Sequence, residues 1–387
     1  MIRDLFKQIE AELNAAHFER KPMVRGLLLA ILSRQHLFMV GVPGADKSGL
    51  AEDLTARVTE ANFFRTLLGR ASTPDEIFGP YSVSAYKQDI QRRKTERRLP
   101  EAHIAFIDET FKGSSTILNS MLSIMAERIY DNDGLQEVPL ISLIGCSNEL
   151  PEDREELAAL WDRFTLRYPV KWIHDPEQFK TMIAGNHTAG QQRTTVTLAQ
   201  LEQAQAEVAQ VDLSAVIDKL PELRDEVRKQ GIGVSDRRFK AAMMAVRAEA
   251  WLNGRSVAAD SDLSVLVHVL WDQPDQIPMV KKLVMGIASP FDSQADEILD
   301  AAVEVYTEAI NAEENAKSNL GAQALKALGL SVGKLQKVLK ESELAGMRSE
   351  AAAEGIDRIQ KMNAEVLVKC LRVAPEQALM MSGGSRS

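Results

Sequence analysis

The chain has 387 residues, of which 45% are hydrophobic, 26% are charged and 5% are aromatic, and its formal net charge at pH 7 is -9. This length predicts two or three domains, and the negative charge argues against a protein that coats nucleic acid. Cys146 and Cys370 lie far apart in the sequence, which excludes a disulfide framework.

No run approaches the roughly 20 apolar residues that cross a bilayer, and the first residues lack the uninterrupted apolar segment of a signal peptide. We therefore expect a soluble cytoplasmic protein without membrane insertion. The histidines show no metal-ligand spacing, which argues against a zinc site. The motifs of covalent hydrolases are absent as well.

Five short apolar runs alternate with helical patterns over the first part of the chain. This alternation is typical of βαβ units that build a parallel sheet with crossover helices. The runs lie at 37–40, 63–68, 104–107, 140–145 and 166–170. Between the third and fourth runs, the apolar residues of one predicted helix face are Ile117, Leu118, Met121, Leu122, Met125 and Ile129.

The remainder of the chain is mostly helical in pattern. Polar residues and glycine at 175–195 predict a linker, and 198–271 predicts a small helical domain. Prolines mark another junction before 295–371, where the apolar spacing predicts a packed helical bundle or hairpin. Residues 381–387 are expected to be a loose tail. The apolar positions behind the bundle prediction are Leu325, Leu328, Leu335, Val338 and Leu339.

The most informative motif is GVPGADKS at 41–48, directly after the first apolar run. Its glycines allow a tight turn in which backbone N–H groups point at a phosphate, and the following helix presents its positive N-terminus. Lys47 then reaches the β- and γ-phosphates of a nucleotide, and Ser48 supplies a hydroxyl to Mg²⁺. The predicted nucleotide-binding residues are Gly41, Val42, Pro43, Gly44, Ala45, Asp46, Lys47, Ser48 and Gly49.

Asp46 departs from the P-loop pattern G-x-x-x-x-G-K-[ST], which has glycine before the lysine. A carboxylate beside phosphates weakens anion binding unless it points outward. Taken alone, the motif also fits an ordinary strand-to-helix turn, so the rest of the chain has to decide between the two interpretations.

Two later apolar runs end in polar residues where open α/β sheets bind ligands. Asp108 can hold Mg²⁺ through water, and Glu109 can orient and activate the attacking water. Asn148 follows the next run and can contact that water or the γ-phosphate. The predicted catalytic carboxylate is therefore Glu109, and the predicted metal ligands are Ser48 and Asp108.

Two arginine-containing motifs follow at well-separated places, LWDRF with Arg163 and VSDRRF with Arg237. Phosphoryl transfer needs such cations to offset the charge that develops in the transition state. Arg167 and Arg238 are the alternatives for these two roles.

Taken in order, GVPGADKS, IAFIDE, CSNELP, LWDRF and VSDRRF resemble the MoxR family of AAA+ ATPases, and in particular a RavA-like branch. The segments ASTPDEIFGP at 71–80 and AER at 126–128 also resemble that branch. The resemblance covers residues 1–275. It implies an α/β fold with a five-stranded parallel sheet in an AAA+ αβα core at 1–190, a helical lid at 191–275 and a helical C-terminal extension at 276–387.

The resemblance also assigns roles to the motifs. It implies that 41–48 form Walker A, that the two strand-end carboxylates form Walker B, and that Asn148 is sensor 1. Arg163 would be the arginine finger that reaches a neighbour's nucleotide. Arg237 would be the sensor 2 arginine that contacts the γ-phosphate from the lid.

By this resemblance we expect an ATP hydrolase that uses Mg²⁺ and assembles into a ring, expected to be a hexamer. Its active sites would lie between subunits, and the energy would remodel, activate or chaperone a partner protein that contains a von Willebrand A domain. Nothing after residue 275 shows the strand-rich insertion with which RavA recruits its partner enzyme, so that partner is not carried over.

Two alternatives stay open. In the first, Asp46 makes hydrolysis negligible and ATP binding only holds a ring scaffold together. In the second, the basic cluster Lys87–Arg98 marks a nucleic-acid motor, although a solvated face explains such a cluster more simply. Glu19 and Arg20 either border an adenine pocket or form a surface ion pair.

Overall fold

The computed structural model describes residues 1–150, 154–185, 193–344 and 349–381. The chain divides into two compact units, Met1–Val280 and Lys281–Ser387. The domain boundaries proposed from the sequence, at 190/191 and 275/276, stay predictions. The expected tail lies outside the described residues from residue 382 onward, as do residues 186–192 of the expected linker.

Five parallel strands form the central sheet of the first unit, in the order β3-β4-β7-β1-β8. The three central strands are almost entirely buried, as expected for a parallel sheet covered on both faces, and their residues are mostly apolar. The edge strand β3 is largely exposed and includes Arg65 and Thr66. All five predicted runs are confirmed as strands. The strands are β1 Leu37–Gly41, β2 Val58–Thr59, β3 Phe63–Leu67, β4 Ile104–Asp108, β5 Ile129–Asp131, β6 Leu135–Glu137, β7 Ser142–Ser147, β8 Leu166–Val170 and β9 Val196–Thr197.

The helices of the first unit connect these strands and then form a helical layer. They are α1 Ile2–Ala16, α2 Lys21–Ser33, α3 Lys47–Thr55, α4 Pro74–Phe78, α5 Val83–Tyr86, α6 Ser115–Glu127, α7 Arg154–Trp161, α8 Pro176–Ile183, α9 Leu198–Ala209, α10 Ser214–Ile217, α11 Leu220–Lys229, α12 Asp236–Leu252 and α13 Ile277–Ala288, which continues into the second unit. Short 3₁₀ helices lie at Leu99–Glu101, Thr110–Lys112, Asp260–His268 and Pro274–Gln276. Helix α2 packs against α1, α9 and α12, so its residues are nearly all buried.

Two local predictions are wrong. Helix α6 ends at Glu127 because Arg128 adopts a left-handed conformation with φ 58°, and Ile129 begins strand β5 of a hairpin instead of extending the helix face. The expected linker contains helix α8, which begins at Pro176 and is capped by the Asp175 carboxylate accepting from the N–H of Glu177 over 2.8 Å. Proline at the first helical position and a capping aspartate both favour a helix start.

The second unit is helical over its described residues and includes α14 Pro290–Asn311, α15 Lys317–Leu344, α16 Glu350–Lys369 and α17 Pro375–Met381. Helices α14, α15 and α16 pack against one another in pairs, which confirms the predicted bundle. Small residues on α14 allow close helix approach, and larger ones fill the centre. The buried core includes Ala295, Ala302, Ala309, Leu328, Leu335, Ile359 and Val366. Among the helices described in either unit, none is long and apolar enough to cross a membrane.

Candidate functional site

The loop between β1 and α3 has the backbone of a phosphate-binding turn. Gly44 has φ 71° and Asp46 has φ 60°, so the chain turns twice through the left-handed region before Lys47 begins helix α3. A Cβ on Gly41 would lie 2.0 Å from the carbonyl oxygen of Val170 on β8, so only glycine fits at the end of β1. This loop therefore delivers a helix N-terminus to the carboxyl edge of the sheet, where an anion can bind.

Lys47 connects the loop to the neighbouring strand β7. Its Nζ donates to the carbonyl oxygens of Gly41 and Val42 over 2.6 and 3.2 Å, and to Asn148 Oδ1 over 3.0 Å. The ammonium group is thus held among acceptors that a phosphate oxygen can replace. The structure brings the predicted Walker lysine and the predicted sensor 1 residue into direct contact.

Glu109 has three hydrogen-bond or ionic partners at the same edge. Its carboxylate accepts from Ser147 Oγ over 3.1 Å and from Asn148 Nδ2 over 2.9 Å, and it lies 3.2 Å from Lys112 Nζ. The residue itself has φ 49°, which turns the chain directly after β4. Asn148 therefore links the predicted water-activating carboxylate to Lys47.

Asp108 is the last residue of β4 and is held from two sides. Its Oδ1 accepts from the N–H of Glu109 over 2.9 Å and from Cys146 Sγ over 2.9 Å. Burial and the contact with Asp108 raise the pKa of the Cys146 thiol, so the thiol stays protonated and donates. Asp108 and Ser48, the two predicted metal ligands, carry carboxylate and hydroxyl oxygens, which are ligand types that Mg²⁺ prefers.

A cavity of about 470 Å³ opens beside the phosphate loop. Arg20 lies in its wall and is buried, with its Nε donating to the carbonyl oxygen of Ala45 over 3.2 Å. Trp172 donates from Nε1 to the carbonyl oxygen of Pro43 over 3.1 Å. Aromatic and aliphatic walls next to a phosphate site suit a nucleotide base. The apolar lining consists of Ala16, Phe18, Ala45, Trp172, Ile173, Phe179 and Met182.

The sequence interpretation missed most of this cavity. Phe179 and Met182 belong to α8, which lies inside the segment taken for a linker. The Asp-Pro pair that begins this helix was the signal that could have found it. Glu19 and Arg20 were predicted either to border an adenine pocket or to form a surface ion pair. Arg20 lines the cavity, whereas Glu19 accepts hydrogen bonds from the N–H groups of His174 and Asp175.

The segments that carry the two predicted transition-state arginines are in contact through Asp162. Arg237 is 62% exposed, and its Nη1 lies 3.7 Å from Asp162 Oδ2. Asp162 directly precedes Arg163, and both of its carboxylate oxygens lie 2.8 Å from the donating hydroxyl of Ser235, at the start of α12. The Nε of Arg163 is buried without a hydrogen-bond partner among the described residues. Asp162 therefore joins the segment after α7, which contains Arg163, to the start of α12, which contains Arg237.

The two alternative arginines have structural partners. Arg167 and Arg238 are buried, and each donates from Nη1 to Asp272 Oδ1 over 2.8 Å. Burial, with Arg238 close by, lowers the pKa of Arg167 to about 9, although Asp272 opposes the shift. Arg167 also stacks on Trp161 with its guanidinium carbon 3.9 Å from the ring centroid. These two residues join β8 and α12 to the segment after the 3₁₀ helix Asp260–His268.

The basic cluster Lys87–Arg98 is partly engaged within the fold. Arg93 pairs with Asp75 over 2.5 Å and stacks on Tyr81 at 4.1 Å, and Arg92 pairs with Asp133 over 3.0 Å. Its other members include exposed side chains without a regular arrangement. Over the part of the chain that the structure describes, three or more histidine, cysteine or acidic side chains nowhere form a metal-binding group.

Two family models match the chain. A model described as the MoxR domain in the MoxR-vWA-beta-propeller ternary systems matches residues 4–211. A model of an AAA lid domain matches residues 215–284. Together they span the phosphate loop, the strand-end carboxylates and both arginine motifs.

Curated relatives and a solved structure agree with these matches. Two uncharacterized proteins of Methanocaldococcus jannaschii are each 39% identical to the chain, over 76% and 77% of its length and 77% and 80% of theirs. The chaperone MoxR1 of Mycobacterium tuberculosis is 24% identical over 74% of this chain and 78% of its own length. The crystal structure of a candidate ATPase from Cytophaga hutchinsonii ATCC 33406 shares the fold with a TM-score of 0.56 and 16% identity, covering 74% of this chain and 94% of that one.

Proposed function

The chain belongs to the MoxR family of AAA+ ATPases, and from this premise we propose that it hydrolyses ATP to ADP and phosphate and uses the energy to remodel, activate or chaperone a partner protein. The observation that carries the proposal is the chain of contacts from Lys47 through Asn148 to Glu109. These contacts hold an ammonium group, a side-chain amide and a carboxylate together at one sheet edge. Phosphoryl transfer needs this set of groups.

ATP would bind across the phosphate loop. The N–H groups at the start of α3 and the ammonium of Lys47 would hold the β- and γ-phosphates, while the base would enter the cavity bordered by Phe18, Trp172 and Phe179. On phosphate binding, Lys47 would exchange its contacts with the carbonyls of β1 for phosphate oxygens. Asn148 would keep its contact with Glu109 and so report the state of the γ-phosphate to the water-activating group.

Mg²⁺ would be held by Ser48 and Asp108, and when bound it would neutralise the charge on the β- and γ-phosphates. Cys146 keeps one carboxylate oxygen of Asp108 occupied, which fixes the direction of the group. Glu109 would orient the attacking water and accept its proton. Its contacts with Ser147 and Lys112 hold the carboxylate in place for that step.

Arg163 and Arg237 would act together on the nucleotide of the next subunit in a ring, expected to be a hexamer. The closeness of Arg237 to Asp162, which adjoins Arg163, supports this arrangement. Neither Arg163 nor Arg237 is among the residues that line the cavity proposed for the base. Each site would then be complete only between two subunits.

The partner would contain a von Willebrand A domain, as the description of the matching MoxR domain supports. A β-propeller component would complete such a system. We place the protein in the cytoplasm, and the RavA-like branch stays a proposal that rests on the motifs.

Steady-state phosphate release, measured against protein concentration, tests the proposal. We expect the rate per subunit to rise with concentration and to vanish in Lys47→Ala. If the protein binds ATP without turnover and Asp46→Gly restores turnover, the nucleotide-gated scaffold is correct instead. A gel-shift assay with salt titration tests the nucleic-acid motor, and we expect no binding at physiological salt.

A further inference from the structure

The unusual Asp46 of the phosphate loop has a specific environment. Glycine normally occupies this position, and Asp46 adopts the left-handed φ of 60° that glycine tolerates best. Its carboxylate Oδ2 lies 2.7 Å from Nδ1 of His17, the residue that follows helix α1. The side chain of His17 is only 10% exposed and that of Asp46 is 56% exposed, so the ring is shielded from water while the carboxylate is partly solvated. Water therefore screens part of the attraction between them.

The other ring nitrogen of His17 has an acidic partner too. Nε2 lies 3.2 Å from Asp53 Oδ2, on the second turn of α3. Only the imidazolium form donates from both nitrogens, and two facing carboxylates favour that form. Burial alone lowers the pKa of His17, but the hydrogen bonds to Asp46 and Asp53 outweigh it and raise the pKa to about 9. His17 is therefore a cation at neutral pH.

The second oxygen of Asp46 is accommodated by Gly49. A Cβ on Gly49 would lie 2.1 Å from Asp46 Oδ1, so a larger residue there would displace the carboxylate. Asp46 makes no side-chain hydrogen bond to the N-terminus of α3. The carboxylate is thus held by His17 on one side and fits over Gly49 on the other, while Lys47 remains engaged with Gly41, Val42 and Asn148.

We propose that His17 is a positioning residue for the phosphate loop: it neutralises the Asp46 carboxylate and holds it on α1, so that the loop can bind the phosphates of ATP although a carboxylate replaces glycine. The inference rests on the proposed ATP-binding function. Without His17, the Asp46 carboxylate would lie beside the incoming phosphates with Arg20 as its remaining nearby cation. We expect the loss of the positive charge of His17 beside Asp46 to lower the affinity for the phosphates by about tenfold.

Titration of the full-length protein with a fluorescent ATP analogue and Mg²⁺ tests the proposal. We expect His17→Ala to weaken binding about tenfold and Asp46→Gly to bind at least as tightly as the wild type. In the double variant His17→Ala with Asp46→Gly, the affinity should return to within about twofold of Asp46→Gly, because the charge that His17 neutralises is gone. His17→Gln keeps one donor for Asp46 but not the positive charge, so its affinity should lie between those of His17→Ala and the wild type.

Two matched controls lie outside the loop. Asp89→Gly replaces another aspartate whose backbone is left-handed, with φ 56°. His103→Ala removes a histidine that directly precedes β4, at the end of the strand opposite to Asp108. Neither should change ATP affinity.

The proposal would be overturned if His17→Ala or His17→Gln, added to Asp46→Gly, still lowered the ATP affinity to a tenth. His17 would then act through the fold and not through Asp46. Wild-type affinity in His17→Ala would overturn it as well. Lys47→Ala separates this result from the proposed function. If Lys47→Ala abolishes binding while His17→Ala does not weaken it, only the role of His17 is wrong; if Lys47→Ala binds normally, the ATP site itself is wrong.

Discussion

The side-chain amide of Asn148 donates to Glu109 Oε1 over 2.9 Å, so the polar ends of two neighbouring strands are joined before any nucleotide binds. The same amide accepts from Lys47 Nζ with its oxygen. A displacement of Lys47 would therefore be transmitted to Glu109 through one side chain, that of Asn148.

Glu109→Gln should lower steady-state turnover by at least about 100-fold while ATP still binds, because glutamine keeps the shape of the side chain but accepts no proton. Phosphate release and analogue binding measure the two effects separately. Glu137→Gln is a control, since Glu137 is exposed on hairpin strand β6. Turnover by Glu109→Gln at the wild-type rate would show that another group activates the water.

Arg163→Ala should reduce turnover by about 1,000-fold or more, as expected for an arginine finger, with little change in ATP affinity. Mixing Arg163→Ala with Glu109→Gln, each inactive alone, should restore activity, because a Glu109→Gln subunit can supply Arg163 to a neighbour with an intact Glu109. Mixed samples without activity would contradict an active site shared between subunits. Arg34→Ala, at the end of α2, serves as the control.

Asp272→Ala should destabilise the first unit by about 3 kcal/mol, because two buried cations, Arg167 and Arg238, would both lose their shared, partly exposed carboxylate. Urea unfolding followed by tryptophan fluorescence measures the change. Asp260→Ala removes a half-exposed partner of Lys219 and should cost less than about 1 kcal/mol. Equal stability of the two variants would show that the Asp272 cluster contributes no more than a surface ion pair.

Gly49→Ala should weaken ATP binding, since its methyl group would displace the Asp46 carboxylate from His17. We expect a loss comparable to that in His17→Ala. In the Asp46→Gly background the same alanine should be nearly neutral, since no carboxylate is left to displace. Gly69→Ala is a control, because nothing lies within 4 Å of a Cβ at that position. A loss that persists without Asp46 would place the effect of Gly49 in the helix and not in the carboxylate.

The stability that His17 contributes should depend on pH. Its pKa is raised from 6.5 to about 9, so the contribution is complete below about pH 6.5 and is lost as the pH rises through about 9. The difference in unfolding free energy between wild type and His17→Ala should therefore shrink over this range. The charged groups that face His17 or its partners are Asp46, Asp53, Arg20, Arg57 and Arg193. A difference that stays constant from pH 6.5 to 9.5 would show that His17 is neutral in the folded protein.

Much of the first unit could be predicted because its signals are local. A buried parallel strand is mostly apolar along its length, so the runs of the central strands were visible without any knowledge of their neighbours, and the edge strands β3 and β8 carry only one or two polar residues each. The carboxyl ends of such strands meet at one edge, and Lys47, Glu109 and Asn148 do lie together there. The hairpin at Ile129 was missed because a left-handed Arg128 ends the helix without glycine or proline to mark it.

The order of the motifs, the parallel sheet and the helical C-terminal bundle depend on residue spacing within single segments, so the amino-acid sequence was enough to predict them. The pairing of Asp46 with His17, and the sharing of Asp272 by Arg167 and Arg238, became visible only in the folded chain. These partners come from distant segments, and no local pattern encodes their distances. Packing of α1 against α3, and of both α12 and β8 against the 3₁₀ helix Asp260–His268, brings such charges together.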